Sequence, residues 1–402
     1  MPGSGRVLPA LLLCVALVAS GCSGDDYVAP PPPTTSEVAD PVAAAATVTA
    51  LQDAIRSGDA DAAAGLGSSP EASALLAAVV GNATALGLDD VSLRYVTETG
   101  RTDGGDGWDA QVALTWRVGG FDTASSRTEV PFSFAAGGSR IASLDVGQGR
   151  LPLWLGGPLD VRRAGPVLVA AAEPARARRY LPAARRALDQ VRAVVGGRTG
   201  LVVEVPADSA GLHRALGVEQ GRYDAIAAIT APVDGVAVAG SPIHVFLDRP
   251  VYDALDPVAA QVVMTHEAVH ALTDAPLAQR APMWLVEGFA DYVALRDVDL
   301  PSSRTAAQIA RQVRTDGLPD ALPATSDFDP AASHLGAVYE AAWLVCVTLA
   351  AHRGERALVD IYRQVLEGQD FAAALRSGFG WSERDLTAAW RDRLADLAGV
   401  AG

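Results

Sequence analysis

The chain has 402 residues, half of them apolar and a fifth charged, which is enough for one large core or two domains and excludes a disordered tail or a small disulfide scaffold. Its 47 acids stand against 32 bases for a formal charge of -15, and lysine is absent altogether. That balance argues against nucleic acid as a partner, because such binding rests on Lys and Arg neutralising phosphates. Three cysteines, Cys14, Cys22 and Cys346, are too few and too scattered for a thiolate metal site or a disulfide framework.

Residues 1–22 read as an export signal, with Arg6 as the positive start, an apolar run from Leu8 to Ala19 broken only by Pro9, and small residues before Cys22. The apolar run is too short to span a bilayer. The sequence Ala19, Ser20, Gly21, Cys22 resembles a bacterial lipobox, although Ala19 stands where Leu or Val is usual. The resemblance implies that Cys22 is acylated, and that the protein is a lipoprotein held on the extracytoplasmic face of the cell membrane. Ordinary cleavage with Cys22 as a bystander is the alternative. Residues 23–40, with four successive prolines at Pro30–Pro33, cannot bury apolar area and suit a stiff, solvated tether. No later stretch is expected to cross a membrane, and the longest candidate, Ala341–Ala351, suits a buried helix.

Residues 41–150 are expected to form an α+β domain. Helical spacing runs over 43–65 and 70–86, with a break at Ser57, Gly58 and Asp59. Strands follow, since Val112, Leu114, Trp116 and Val118 alternate with polar residues and Val130, Phe132 and Phe134 repeat the period of two. Helices on one face of a curved antiparallel sheet satisfy this pattern. Together with the segment Leu51–Ala60, the element order resembles the small nuclear-transport-factor-two-like domains of secreted lipoproteins. No histidine falls in this region, so a spacer, a binding module or a lid over a neighbouring site is the expectation. Glycines and prolines crowd 147–158 and mark a boundary.

The second domain, 158–402, opens with expected strands at Val167–Ala171, Leu201–Val205, Asp224–Ile229, Val236–Ala239 and Ile243–Leu247 in a mixed α/β lobe. Between the first two lies a helix with Arg176, Arg178, Arg179, Arg185, Arg186 and Arg192, either an anionic-surface contact or stems covering apolar surface. From Asp256 onward the chain reads as nearly all helix. The whole is α+β.

Chemistry concentrates in that helical part. Asp256 and Pro257 cap and start a helix that carries Thr265, His266, Glu267, Ala268, Val269 and His270. Four residues apart, His266 and His270 leave one face and can meet a single tetrahedral cation. Glu267 lies about 100° round the axis, where it can reach a water but is badly placed to be a ligand. Two imidazoles do not complete a catalytic zinc site, which needs a third protein ligand and an open position. A second helix starting at Pro282 carries Trp284, Leu285, Val286, Glu287, Gly288, Phe289, Ala290, Asp291 and Tyr292, and Glu287 is the candidate third ligand.

These two segments resemble the gluzincin zinc peptidases, whose second signature reads roughly W-L-x-E-G-x-A-x-Y. Sixteen residues separate His270 from Glu287, fewer than in aminopeptidase-N-like enzymes, which puts the resemblance with the peptidase MA-like group. The resemblance implies His266, His270 and Glu287 as Zn2+ ligands, Glu267 as general base, Asp291 as the acid orienting a ligand histidine, and Tyr339 as a donor to the oxyanion. Zinc would polarise the scissile carbonyl and acidify water, with Glu267 taking the proton. The expected substrates are peptides or exported proteins, received in extended form along the edge strand of the α/β lobe, expected at Pro242–Leu247. The rival reading is a non-catalytic envelope lipoprotein that binds or scaffolds partners around a retained zinc site. His334, beside Ser333, is either a substrate contact or a structural histidine; Cys346 suits a buried apolar position; His213 and His244 have no companions at ligand spacing.

Overall fold

The computed structural model describes residues 39–101, 107–144, 149–197, 200–223, 226–329 and 334–400. The export signal, Cys22, nearly all of the tether and Ser333 lie outside them. The fold is α+β. It opens with α1 (Pro41–Ser57), α2 (Ala60–Ala64) and α3 (Pro70–Leu86). Asp40 caps α1 by accepting from the N–H groups of Val42 and Ala43, and Gly58 ends it in the left-handed conformation at φ 72°. Asp59 then caps α2, so the expected break is built from a stop and a start placed side by side.

An antiparallel sheet follows in the order β1 (Leu88–Arg101), β2 (Trp108–Val118), β3 (Ser126–Ala135) and β4 (Arg140–Ser143). Along β2 every second residue from Trp108 to Val118 is buried, as the period of two requires. Three register shifts interrupt β1 against β2, and such bulges bend and twist a strand. The inner face is filled with Trp108, Trp116, Phe132 and Phe134 against α1 and α3.

The chain continues through β5 (Asp160–Ala164), β6 (Val167–Ala171), α4 (Ala177–Val195), β7 (Leu201–Val205), α5 (Ser209–Leu216), β8 (Ala228–Pro232) and β9 (Ile243–Leu247). These strands make a second sheet in the order β5-β6-β7-β9-β8, parallel across β6, β7 and β9 and antiparallel at both ends. Every residue of β6 is buried, as expected of a strand covered on both faces. Val167, Val169 and Ala171 face the core shared with the helices, whereas Leu168 and Ala170 face the apolar cluster of the N-terminal sheet. The N-terminal region therefore packs on the face of the second sheet away from the helical lobe, and is not a lid over it.

Two expectations about this sheet are corrected. Val236–Ala239 is a turn, not a strand. Asp234 accepts from the Val236 N–H at 3.0 Å, and Ser241 donates to the Val236 carbonyl while accepting from the Val238 N–H. Short polar side chains thus take the groups a ladder would have used. Nor is the Pro242–Leu247 segment the edge, because β9 lies between β7 and β8. On that side the edge is β8, Ala228–Pro232; Asp224 and Ala225 of the expected Asp224–Ile229 strand lie outside the described residues.

Beyond Asp248 the described residues are helical: α6 (Arg249–Asp253), α7 (Pro257–Leu272), α8 (Met283–Leu295), α9 (Ser302–Thr305), α10 (Ala307–Asp316), α11 (Leu335–Arg353), α12 (Glu355–Leu366), α13 (Phe371–Phe379) and α14 (Glu383–Ala398). Within this lobe α11 is longer than the expected Ala341–Ala351, and by length and composition it could cross a membrane. Here it is a core helix, with Ala341, Ala342, Leu344, Val345, Cys346 and Leu349 buried. It crosses α8 where Gly288 faces Ala342. A Cβ on Gly288 would overlap the Ala342 carbonyl, so the absence of a side chain lets the two backbones meet.

Candidate metal centre

Asp256 starts α7 by accepting from the N–H groups of Val258 and Ala259, with Pro257 in the first turn, as the sequence leads one to expect. From there the helix carries His266, Glu267 and His270 to a place where α7, α8, α11 and the edge strand β8 meet. His266 Nε2 and His270 Nε2 are 3.0 Å apart. Glu287 Oε2, on α8, lies 3.1 Å from the first and 3.5 Å from the second. Among the described residues these three form the group of His, Cys and acidic side chains able to hold a metal ion, with all donor atoms inside 4.8 Å.

Hydrogen bonding fixes which atoms do this. His266 Nδ1–H donates to Asp291 Oδ1 at 2.8 Å, one turn beyond Glu287 on α8, and this leaves the Nε2 lone pair turned toward the other two donors. Three lone pairs converge, and they repel one another unless a proton or a cation lies among them. Bonds of 2.0–2.1 Å at tetrahedral angles give a donor-to-donor edge of about 3.3–3.4 Å. The three separations bracket that edge. Two imidazoles and a carboxylate are also a donor set that suits zinc, and three ligands leave a fourth corner open.

The charges of the cluster act strongly on one another. Burial disfavours the Glu287 carboxylate, but the neighbouring His270 and His266 outweigh it and hold the group well below the ordinary carboxylate range. For His266 burial opposes the charged form, and Asp291 more than reverses this. Glu267 behaves differently. Its side chain is buried, and burial pushes its carboxyl up against the pull of the two histidines and of Thr230.

Tyr339 on α11 lies over the cluster, its ring centroid 6.1 Å from that of His266 and 5.4 Å from that of Phe328. Burial, together with the charges of Glu287, Glu267 and Asp291, pushes its hydroxyl up, so the phenol keeps its proton and can donate. A cleft of about 440 Å³ opens beside His270 and Glu287, lined by Thr230, Ala275, Ala281, Met283 and Val286 among others. His334 is not part of it. That residue is exposed at the start of α11 and lines a separate hollow with Asp327, Gln312 and Trp390. Cys346 is fully buried.

Two features were not foreseen. Thr230, on β8, donates to Glu267 Oε2 at 2.7 Å and is 3.0 Å from the Glu267 backbone carbonyl. His244 forms a second buried cluster, its Nδ1 2.7 Å from Glu204 Oε1 and its Nε2 3.1 Å from Asp122 Oδ1. Burial alone would lower the pKa of His244; the two carboxylates outweigh that and raise it to about 10. Asp122 belongs to the turn after β2, and its other oxygen accepts from the Val118 N–H. This ion cluster therefore clamps the N-terminal sheet to the second one. No protein-family model and no curated protein matches the chain.

Proposed function

We propose that the chain is a zinc-dependent peptidase, held by a lipid on Cys22 at the extracytoplasmic face of the cell membrane, that hydrolyses peptide bonds in exported proteins or peptides. The observation that carries this reading is the triangle of His266 Nε2, His270 Nε2 and Glu287 Oε2, with edges of 3.0, 3.1 and 3.5 Å beside an open cleft. A zinc ion bound by these three residues supplies Lewis acidity toward the scissile carbonyl and toward water.

The chain's own groups supply the rest. Glu267, raised by burial, is suited to accept the proton of the attacking water and return it to the leaving amine. Tyr339 stays protonated beside three carboxylates and is suited to donate to the developing oxyanion. Asp291 fixes the tautomer and tilt of His266. An extended substrate can lie along β8, the edge strand whose Thr230 lines the cleft, and pair through its main chain.

The test is unbiased cleavage profiling of the zinc-reconstituted protein on a library of unfolded peptides, beside Glu267→Gln. Turnover should fall by about 10²- to 10⁴-fold while zinc content is unchanged. Equal rates for the two proteins, or a zinc-loaded wild type that binds peptides and cuts none, would contradict the reading; the latter would favour the envelope-binding alternative.

A further inference from the structure

We propose that Thr230 is the positioning residue of the general base, holding the Glu267 carboxylate in one orientation from the sheet edge. The inference rests on the peptidase reading for its consequence in turnover, and on geometry alone for the contact. Along β8, alternate residues face opposite ways. Ile229 and Ala231 pack with Phe246 on one side, whereas Ala228 joins the core beneath α7 on the other. Thr230 shares the side of Ala228, and its hydroxyl meets both ends of Glu267, the carboxylate Oε2 at 2.7 Å and the backbone carbonyl at 3.0 Å.

Such a double contact does more than tie a strand to a helix. A side chain bonded only to the carbonyl would fasten the backbone; the shorter bond, to Oε2, fixes where the carboxylate points and leaves Oε1 as the oxygen the hydroxyl does not engage. Branching at Cβ restricts the threonine to few rotamers, and the backbone is pinned because Thr230 pairs with Val245 of β9. The hydroxyl also keeps one role in both protonation states. It donates to Oε2 of the carboxylate, and once Oε1 has taken a proton from water it goes on donating to Oε2, then the carbonyl oxygen of the neutral acid. The same contact thus survives the proton's arrival and its departure to the leaving amine.

The experiment compares zinc-loaded wild type, Thr230→Val and Thr230→Ser in peptide turnover, zinc content, melting temperature and crystal structures. Valine keeps the shape and removes the hydroxyl, and serine restores it. The valine variant should lose about 10- to 100-fold in kcat, the scale of a misplaced catalytic group. KM should stay within about twofold, zinc content should be unchanged, and serine should recover most of the rate. In the crystal structures Glu267 should keep its orientation in wild type and the serine variant and leave it in the valine variant. An unmoved Glu267 in Thr230→Val, or serine as slow as valine, would overturn the proposal. A wild type that cuts nothing, with the carboxylate still released by valine, would sink the peptidase reading and uphold the positioning contact.

Discussion

The molecule holds two buried clusters of histidine and carboxylate, built from the same side chains to opposite ends. Around His244 the two acids lie on opposite sides of one ring, Glu204 at Nδ1 and Asp122 at Nε2. Both nitrogens need a hydrogen, so the imidazolium is the form that fits, one positive charge held between two carboxylates. Around His266 only Nδ1 meets an acid as donor; the other nitrogen faces His270 Nε2 and Glu287 Oε2, three acceptors turned on one point. The first cluster is closed by its own protons; in the second three lone pairs face one another, and a proton or a cation between them relieves the repulsion. What separates them is the balance of hydrogens and lone pairs, not composition or burial.

The contrast is broken most severely by removing His244. His244→Leu leaves Asp122 and Glu204 buried without a positive partner, which should cost about 3–5 kcal/mol in denaturant unfolding while zinc content stays whole in the folded protein. Loss of zinc in this variant would show that the clusters are not separate. The sign of the pH effect follows from the raised pKa. The clamp's contribution is complete below pH 6.5 and is lost as pH rises toward about 10. Unfolding measured across that range should show a decline in wild type that His244→Leu lacks.

A smaller effect sharpens the comparison from the other side. Asp291→Ala removes the one acid that acts at the metal cluster as Glu204 does in the clamp. Because Asp291 bonds to His266 and is not one of the three converging donors, the proposed site should lose about 10- to 100-fold in zinc affinity, read by competition with a chelator, and the fold should persist. Unchanged affinity would mean that the 2.8 Å bond to His266 does not set the geometry of the donors.

How much of this was legible in the sequence follows from distance along the chain. His266 and His270 share a helix face, which spacing alone makes legible, whereas Glu287 on the next helix was joined to them by the resemblance of its segment to the gluzincin signature. The cap at Asp40 was not read, but the start at Asp256 and the break at Ser57–Asp59 were legible because caps and stops are local events. The clamp was not, since Glu204 and Asp122 are 40 and 122 residues from His244 and no periodicity joins them. Thr230 was missed because the expected strand stopped at Ile229 and because contact with Glu267 depends on strand order. That order puts β8 outside β9, a non-local fact that also displaced the expected edge. Val236–Ala239 is a short apolar run like that of a buried strand, yet Asp234 and Ser241 fold it into a turn, so a local rule was overridden by neighbours two to five residues away.

The account turns on whether three side chains from α7 and α8 bind one ion. Zinc titrated into chelator-stripped protein, followed by metal analysis after desalting, measures this directly in wild type, His270→Ala, Glu287→Ala and His244→Leu. The account predicts a single zinc per chain in wild type and in His244→Leu, and its loss from the other two. Wild type that takes up none, or full retention without His270 and without Glu287, would contradict it.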